Sequence, residues 1–390
     1  MTKGRGQVAI VGAADTAVGK ITDLDCQALC AVAAEKALAD AGLNFADVDG
    51  LVTCNAMSQP FLYPAEALAE YLQIFPNYCV GLGAGGAAAV SVIQHAALAI
   101  EAGLCETVLI TMADRLRSGL TREQARQMQS AAGHPEFETP YGPSAPALYA
   151  LVAQAHMHAY GTSREALAAV AVTMREHAGL HPGAQKRDPI SIEDVLSSRP
   201  VATPLNVLDC SLVSDGGAAI VLTSAERARN LRQPAVFLLG SGEGHSHEHL
   251  SAAHDLTRSA AVESGRQAYA RAGLGPKDID VAGLYDCFTP VVLVLLEDLG
   301  LCPRGESGAF VLDGGIRLGG ALPVNPHGGL LSHCHPGNPG SMFHVTEMVT
   351  QLRGQAGKRQ VPNAEVALVH AQGGTLSSHS TLILGSEATR

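Results

Sequence analysis

The chain has no tryptophan and little aromatic content of any kind, with eight Tyr and eight Phe making 4% of its 390 residues. A core without large rings must be filled by small aliphatic side chains. The sequence supplies them, at 47% hydrophobic residues with 42 glycines, a palette that suits close packing of helices on sheets. Positive charge is also scarce. The 26 Lys and Arg stand against 37 Asp and Glu, for a net charge of −11. No basic stripe is available to displace counterions from a nucleic acid. No apolar run reaches the roughly 18 residues of a membrane-spanning helix. The nine cysteines (26, 30, 54, 79, 105, 210, 287, 302 and 334) are odd in number and form no C-x-x-C, a pattern of reduced thiols in a cytosol. Met1–Gly6 leads into a strand-like Gln7–Ala13 without an apolar leader. A soluble, cytoplasmic protein is expected.

The length exceeds one typical domain of roughly 150 residues, and the sequence repeats itself. Asp25–Leu43 has helical periodicity and closes on Ala41-Gly42-Leu43, followed by Asp47-Val48-Asp49 and the apolar run Gly50–Thr53. A second copy starts near Ser259, closes on Ala272-Gly273-Leu274, and continues Asp278-Ile279-Asp280 into Val281–Tyr285. From Asp47 to Asp278 the offset is 231 residues. A spacing that long predicts two similar α/β halves rather than a solenoid. The first half is expected over 1–225, interrupted at about 113–213 by an inserted domain carrying helices Tyr149–Tyr160 and Arg164–Ala178, and the second over 226–390. Gly86–Gly103 reads as a buried Ala-rich helix, and Glu106–Met112, Glu365–His370 and Ser380–Leu384 as strands.

Four segments carry a family resemblance. Leu208-Asp209-Cys210-Ser211-Leu212-Val213-Ser214-Asp215-Gly216-Gly217-Ala218-Ala219 is similar to the D-C-x-x-x-S-D-G-A-A segment that leaves the thiolase loop domain. Tyr285-Asp286-Cys287-Phe288 stands where N-E-A-F or H-D-C-F occurs. Asn325–Gly337 resembles N-x-x-G-G-x-x-x-x-G-H-P-x-G, and His370-Ala371-Gln372-Gly373-Gly374 looks like H-N-x-G-G. Together they resemble the thiolase superfamily, in its sterol-carrier-protein branch, over nearly the whole chain. The resemblance implies an α/β thiolase fold: two βαβαβαββ halves in five layers, αβαβα. It also implies action on acyl-CoA thioesters, with coenzyme A entering as part of the substrate and no separate cofactor or metal.

The departures decide the expected chemistry. The family's nucleophilic Cys opens the buried helix of the first half, and here that place falls within Gly85-Gly86-Ala87-Ala88. No thiol is present. Cys79 lies about seven residues earlier, in a strand-like stretch. His335 matches the family histidine that faces the thioester, Cys287 an acid/base cysteine, and Tyr285 an oxyanion residue. In its lack of the thiol and its Y-D-x-F tyrosine, the chain resembles the steroid side-chain aldolases, which carry a second Tyr where His335 stands. That resemblance implies retro-aldol cleavage of a β-hydroxyacyl-CoA without a covalent acyl-enzyme. Backbone N–H groups of Gly85, Gly86, Ala87 and Ala88 would hold the enolate oxygen, with His370 and Gly373 as further binding residues. A phenolate at pH 7 costs about 4 kcal/mol, and a helix N-terminus returns only ~0.3–1 kcal/mol. Protonated His335 is therefore expected as the cation that makes Tyr285 a base.

Two alternatives stay open: an acyltransferase (acetyl-CoA acetyltransferase) using Cys79 or Cys287, and a non-catalytic lipid or acyl-CoA carrier. The family also implies a homodimer and a small OB-fold, zinc-ribbon acyl-CoA-binding partner. His245-Ser246-His247-Glu248-His249 reads as a solvated loop rather than a zinc site. Gly81–Gly86 is a weak dinucleotide match, and His327 and His333 are loop residues that could line the pocket.

Overall fold

The computed structural model describes residues 4–130 and 133–390, so Met1–Lys3 of the N-terminal reading lie outside it. Strand β1 (Val8–Asp15) leads to helix α1 (Cys26–Ala41). Asp25 caps α1 by accepting the Ala28 N–H at 2.8 Å, and Gly42 ends it at φ 76°. A turn over Phe45–Asp47 then feeds β2 (Gly50–Thr53). The first half continues with α2 (Pro64–Leu72), β3 (Tyr78–Gly81), α3 (Ala88–Glu101) and β4 (Thr107–Arg115). An insertion follows, comprising α4 (Arg122–Ser130), α5 (Ala145–Tyr160), α6 (Arg164–Leu180), α7 (Ile192–Ser197) and the hairpin β5 (Pro200–Ala202) with β6 (Leu205–Asn206). β7 (Asp215–Ser224) closes the half before the short α8 (Ala225–Ala228). The second half runs β8 (Val236–His245), α9 (Ala261–Ala272), β9 (Val281–Leu284), α10 (Thr289–Asp298), α11 (Ser307–Leu312), α12 (Met342–Leu352), β10 (Val366–Gly373) and β11 (Ser378–Gly385).

The duplication is visible element by element. α9 ends on Gly273 at φ 65°, a turn over Pro276–Asp278 follows, and β9 begins at Val281, 231 residues after the start of β2. The strand order is β3-β2-β4-β7-β1-β8-β11-β10-β9. In the second half the place of β3 is taken by one parallel bridge, Val324 to Ala282. Each half therefore has the same order, and the two meet through Ala9–Phe237 and Ile10–Val236.

Packing gives the five expected layers. α1 covers the outer face of the first half and α9 that of the second, while α3 and α12 each touch strands of both halves and form the central layer. Alanine makes that layer thin: Ala88, Ala89 and Ala96 of α3 are fully buried between the sheets. On β8, a Cβ at Gly242 would collide with the Ser264 carbonyl of α9. α10 reads Thr-Pro-Val-Val-Leu-Val-Leu-Leu and is buried on every side, wedged against α5 and α6 of the insertion. Among the described residues no helix is long and apolar enough to cross a membrane.

Histidines share this interior. Burial pulls His344 down to about 3 and His379 to about 4, and His327, His333 and His370 well below their ordinary value. A base held neutral in the folded state binds fewer protons than in the unfolded chain. Its contribution is fully present above the unfolded pKa near 6.5 and is lost as pH falls toward the folded value. The buried carboxyls of Asp15 and Asp286, raised to about 6 and about 7, act in the opposite direction but are outnumbered, so urea unfolding should show a lower midpoint at pH 5 than at pH 7. Equal midpoints at the two pH values would contradict this account.

Candidate active site

β9 delivers the first catalytic candidate. Beyond Leu284 the chain stays extended, with the Tyr285 N–H donating to the His370 carbonyl at 3.1 Å, and alternation sends Tyr285 and Cys287 one way and Asp286 the other. Asp286 is completely buried and accepts the N–H groups of Leu330 at 2.7 Å and Leu331 at 3.2 Å. Burial lifts its carboxyl to about 7 against those hydrogen bonds. Asn325 clamps the same strand end, its side chain pairing with both the N–H and the carbonyl of Leu284 at 2.8 Å. Between these anchors Gly329 must be glycine. Its φ is 61°, and a Cβ there would run into the Asp286 carboxylate.

The anchored loop carries His335 to Tyr285, with Tyr285 Oη 3.1 Å from His335 Nε2. The other nitrogen, Nδ1, lies 3.4 Å from Ser211 Oγ. Ser214 fixes the backbone by accepting the His335 N–H at 3.0 Å and donating its own N–H to the His335 carbonyl at 3.2 Å. The ring nitrogens are deep although one edge of the residue keeps some exposure, and burial pulls the imidazole down to about 4. Burial, with Cys287 and Asp286 nearby, pushes Tyr285 well above 10. The expectation of a protonated His335 beside a phenolate is thus corrected. Both groups rest neutral, and the 3.1 Å contact has the length of a hydrogen bond between Tyr285 Oη and Nε2; when the tyrosine is the donor, the Nδ1–H faces Ser211 Oγ.

Gly86 lies beneath the tyrosine. A Cβ at this position would stand 2.7 Å from Tyr285 Cζ, 2.6 Å from the Gln372 carbonyl oxygen, and closer still to Tyr285 Oη. The tyrosine hydroxyl occupies the space that a nucleophile's side chain would need. Gly85, at φ 56°, faces Gly373 Cα at 3.1 Å and Gly374 N at 3.3 Å from its own Cβ direction, so the glycine turn rests on the end of β10. Its donors differ from the expected set of four. The Ala87 N–H is spent on the Ala84 carbonyl at 3.2 Å and the Ala88 N–H on Gly85. Of these four, the Gly85 and Gly86 N–H groups have no hydrogen-bond acceptor among the described residues.

Three other candidates stand outside the Tyr285–His335 hydrogen bond. Cys287 is buried, accepts a hydrogen bond from Gln372 Nε2 at 3.4 Å, and is pushed up to about 12 by burial, so its thiol rests protonated. Cys79 is half-buried in edge strand β3, its thiol raised by burial and by Glu66 of α2. His370 turns to β11, bonded to Thr381 Oγ1 at 2.8 Å and His379 Nδ1 at 3.1 Å rather than facing Tyr285. His327 and His333 line a cavity of about 180 Å³ with Asp15, His181 and Arg359 behind the loop. His247 Nε2 lies 3.0 Å from the Thr375 carbonyl, and no described group of three or more His, Cys, Asp or Glu is placed to hold a metal. Ser211, Ser214 and Gln372 lay inside the quoted motifs without being singled out.

Comparison with known proteins agrees with this geometry. Residues 242–386 match the family model for a thiolase C-terminal domain-like unit. The chain is 38% identical to a 17-hydroxy-3-oxo-4-pregnene-20-carboxyl-CoA lyase of Mycobacterium tuberculosis, covering 97% of this chain and 99% of that one. It is 36% identical to a steroid side-chain-cleaving aldolase of Thermomonospora curvata (98% of each) and 34% to an acetyl-CoA acetyltransferase of Methanothermobacter thermautotrophicus (94% and 96%). Among solved structures, an Ltp2-ChsH2(DUF35) aldolase superposes with a TM-score of 0.88 at 36% identity over 98% of each chain. The site belongs to a class of enzymes that work on thioesters. The chain is a member of the thiolase superfamily.

The contact under Tyr285 makes a direct expectation. Gly86→Cys alone should destabilise the fold by several kcal/mol through overpacking. Gly86→Cys combined with Tyr285→Ala removes the clash with the ring and leaves the one with the Gln372 carbonyl; it should be more stable than the single variant and bring a thiol to His335, detected as an acyl adduct by intact mass after acetyl-CoA treatment. A stable, acylated single variant would show that the tyrosine does not exclude the thiol.

Proposed function

We propose that this enzyme cleaves the Cα–Cβ bond of a β-hydroxyacyl-CoA by a retro-aldol step without a covalent intermediate, and that the substrate's acyl part is a bulky, steroid-like alcohol as in its lyase and aldolase relatives. The observation that carries the reading is the neutral Tyr285–His335 pair standing in the space of the absent nucleophile. Tyr285 hands its proton to His335 Nε2 while taking that of the β-hydroxyl. The O–H electron pair becomes the new carbonyl bond, and the Cα–Cβ pair moves into the thioester as an enolate. The Gly85 and Gly86 N–H groups face its oxygen. The proton then returns through Tyr285 to Cα, releasing a ketone or aldehyde and a shorter acyl-CoA.

Proton transfer to a histidine with a pKa near 4 is unfavourable by about a thousandfold at pH 7. The enolate that forms with it supplies the opposite charge in the same buried space, which raises the imidazole's affinity for the proton when the reaction needs it. An acyltransferase reading has a relative in its favour, but burial holds the thiols of both Cys79 and Cys287 above their ordinary value, and at Cys287 it outweighs the hydrogen bond from Gln372.

A reduced interior of nine free cysteines supports a cytoplasmic location. A DUF35-type acyl-CoA-binding partner is supported by the aldolase complex that the chain resembles. The free edge of β3, flanked by Leu62 at 84% and Phe75 at 95% exposure, supports pairing with a second copy.

Incubation with β-hydroxyacyl-CoAs, with and without such a partner, should release a carbonyl product. Tyr285→Phe and His335→Ala should each lower that rate by at least a hundredfold; full activity in Tyr285→Phe would overturn the mechanism. Activity should be flat from about pH 6 to 9 and fall as pH drops through about 4, where protonated His335 can no longer accept. For the pairing, Phe75→Asp should shift the sedimentation coefficient of a dimer to that of a monomer. A wild-type chain that sediments as a monomer at all concentrations would contradict it.

A further inference from the structure

Tyr149 stands 223 residues from Gln372 in the chain, on α5 of the insertion, yet it is built into the floor of the site. It is 4% exposed, and its ring stacks on Phe288 with centroids 4.5 Å apart. Its hydroxyl donates to the Gly374 carbonyl at 2.8 Å and accepts from Gln372 Nε2 at 2.5 Å. Gln372 is held in turn, its Oε1 accepting the Leu376 N–H at 2.9 Å. The segment so gripped is the one on which the catalytic turn rests: the Gln372 carbonyl lies against Gly86, and Gly373 and Gly374 lie against Gly85. Glycines facing glycines have no side chains with which to hold a position. Gly374 also sits at φ 63°, a conformation that it can leave at little cost.

We infer that Tyr149 is a positioning residue for enolate stabilisation: through its hydroxyl the insertion fixes Gly373–Gly374, and through them the direction of the Gly85 and Gly86 N–H groups. The inference rests on the retro-aldol reading. Charge reaches the thioester oxygen only in the transition state, so a slackened turn acts on kcat and leaves KM nearly unchanged.

Tyr149→Phe keeps the stacked ring and removes both hydrogen bonds. It should lower kcat for cleavage about tenfold or more with KM within about twofold, and slow the exchange of acetyl-CoA or propionyl-CoA α-protons in deuterated water to the same degree, with no shift in the pH profile. Rates are taken per folded molecule, from active-site-independent thermal melts. If Tyr149→Phe does not fold, Gln372→Met removes one of the two bonds with the ring in place and carries the same expectation. Unchanged kcat and exchange in the variant, or a loss that tracks unfolded protein or raises KM alone, overturns the inference while wild-type cleavage upholds the retro-aldol reading. A wild type that exchanges α-protons but cleaves no β-hydroxyacyl-CoA overturns that reading, and the exchange rate of the variant still decides the role of Tyr149. A wild type that does neither overturns both.

Discussion

The hydrogen bonds from Leu330 and Leu331 to Asp286 join the two segments on which the site depends. One segment continues β9 and bears Tyr285; the other is the loop that bears His335. They come from chain positions about 50 residues apart, and a buried carboxylate with no solvent to compete for it defines their relation. Removing one member would leave orphaned amides or an orphaned charge, each costly in a dry interior. Asn325 reinforces the joint by satisfying both polar groups of Leu284, and Gly329 allows the loop to come close enough. The geometry of the dyad is therefore inherited from a backbone arrangement that is itself non-catalytic.

The dryness that makes this joint rigid also sets the electrostatics. Every ionisable group around the dyad is pushed toward its neutral form: Tyr285 and Cys287 upward, His335 and His344 downward, Asp286 upward. Such a site is poorly suited to holding a standing thiolate. It is suited to a reaction in which opposite charges appear together and vanish together, as imidazolium and enolate do in the proposed cycle.

Much of this was legible in the sequence. The Gly-closed helices before Asp47-Val48-Asp49 and Asp278-Ile279-Asp280 gave away the duplication, and the motif around His335 gave away the loop, because both depend on local chemistry that leaves a local trace. The absence of a thiol at Gly85–Ala88 could be read as well. Protonation states could not. The sequence puts His335 opposite Tyr285 but carries no measure of how dry the space between them is, and so the cationic histidine was expected where a neutral one stands. The partners of Cys287 and His370, namely Gln372, Thr381 and His379, were equally hidden, since they are set by which face of a strand each residue occupies. The partners of Tyr149 were hidden for another reason: its contacts span more than two hundred residues.

The crowding at Gly86 also constrains history. A side chain at position 86 and a tyrosine at position 285 cannot share the same few cubic ångströms. If an ancestor carried a nucleophile there, the path to the present site had a compulsory order: the thiol had to shrink away before the ring could arrive.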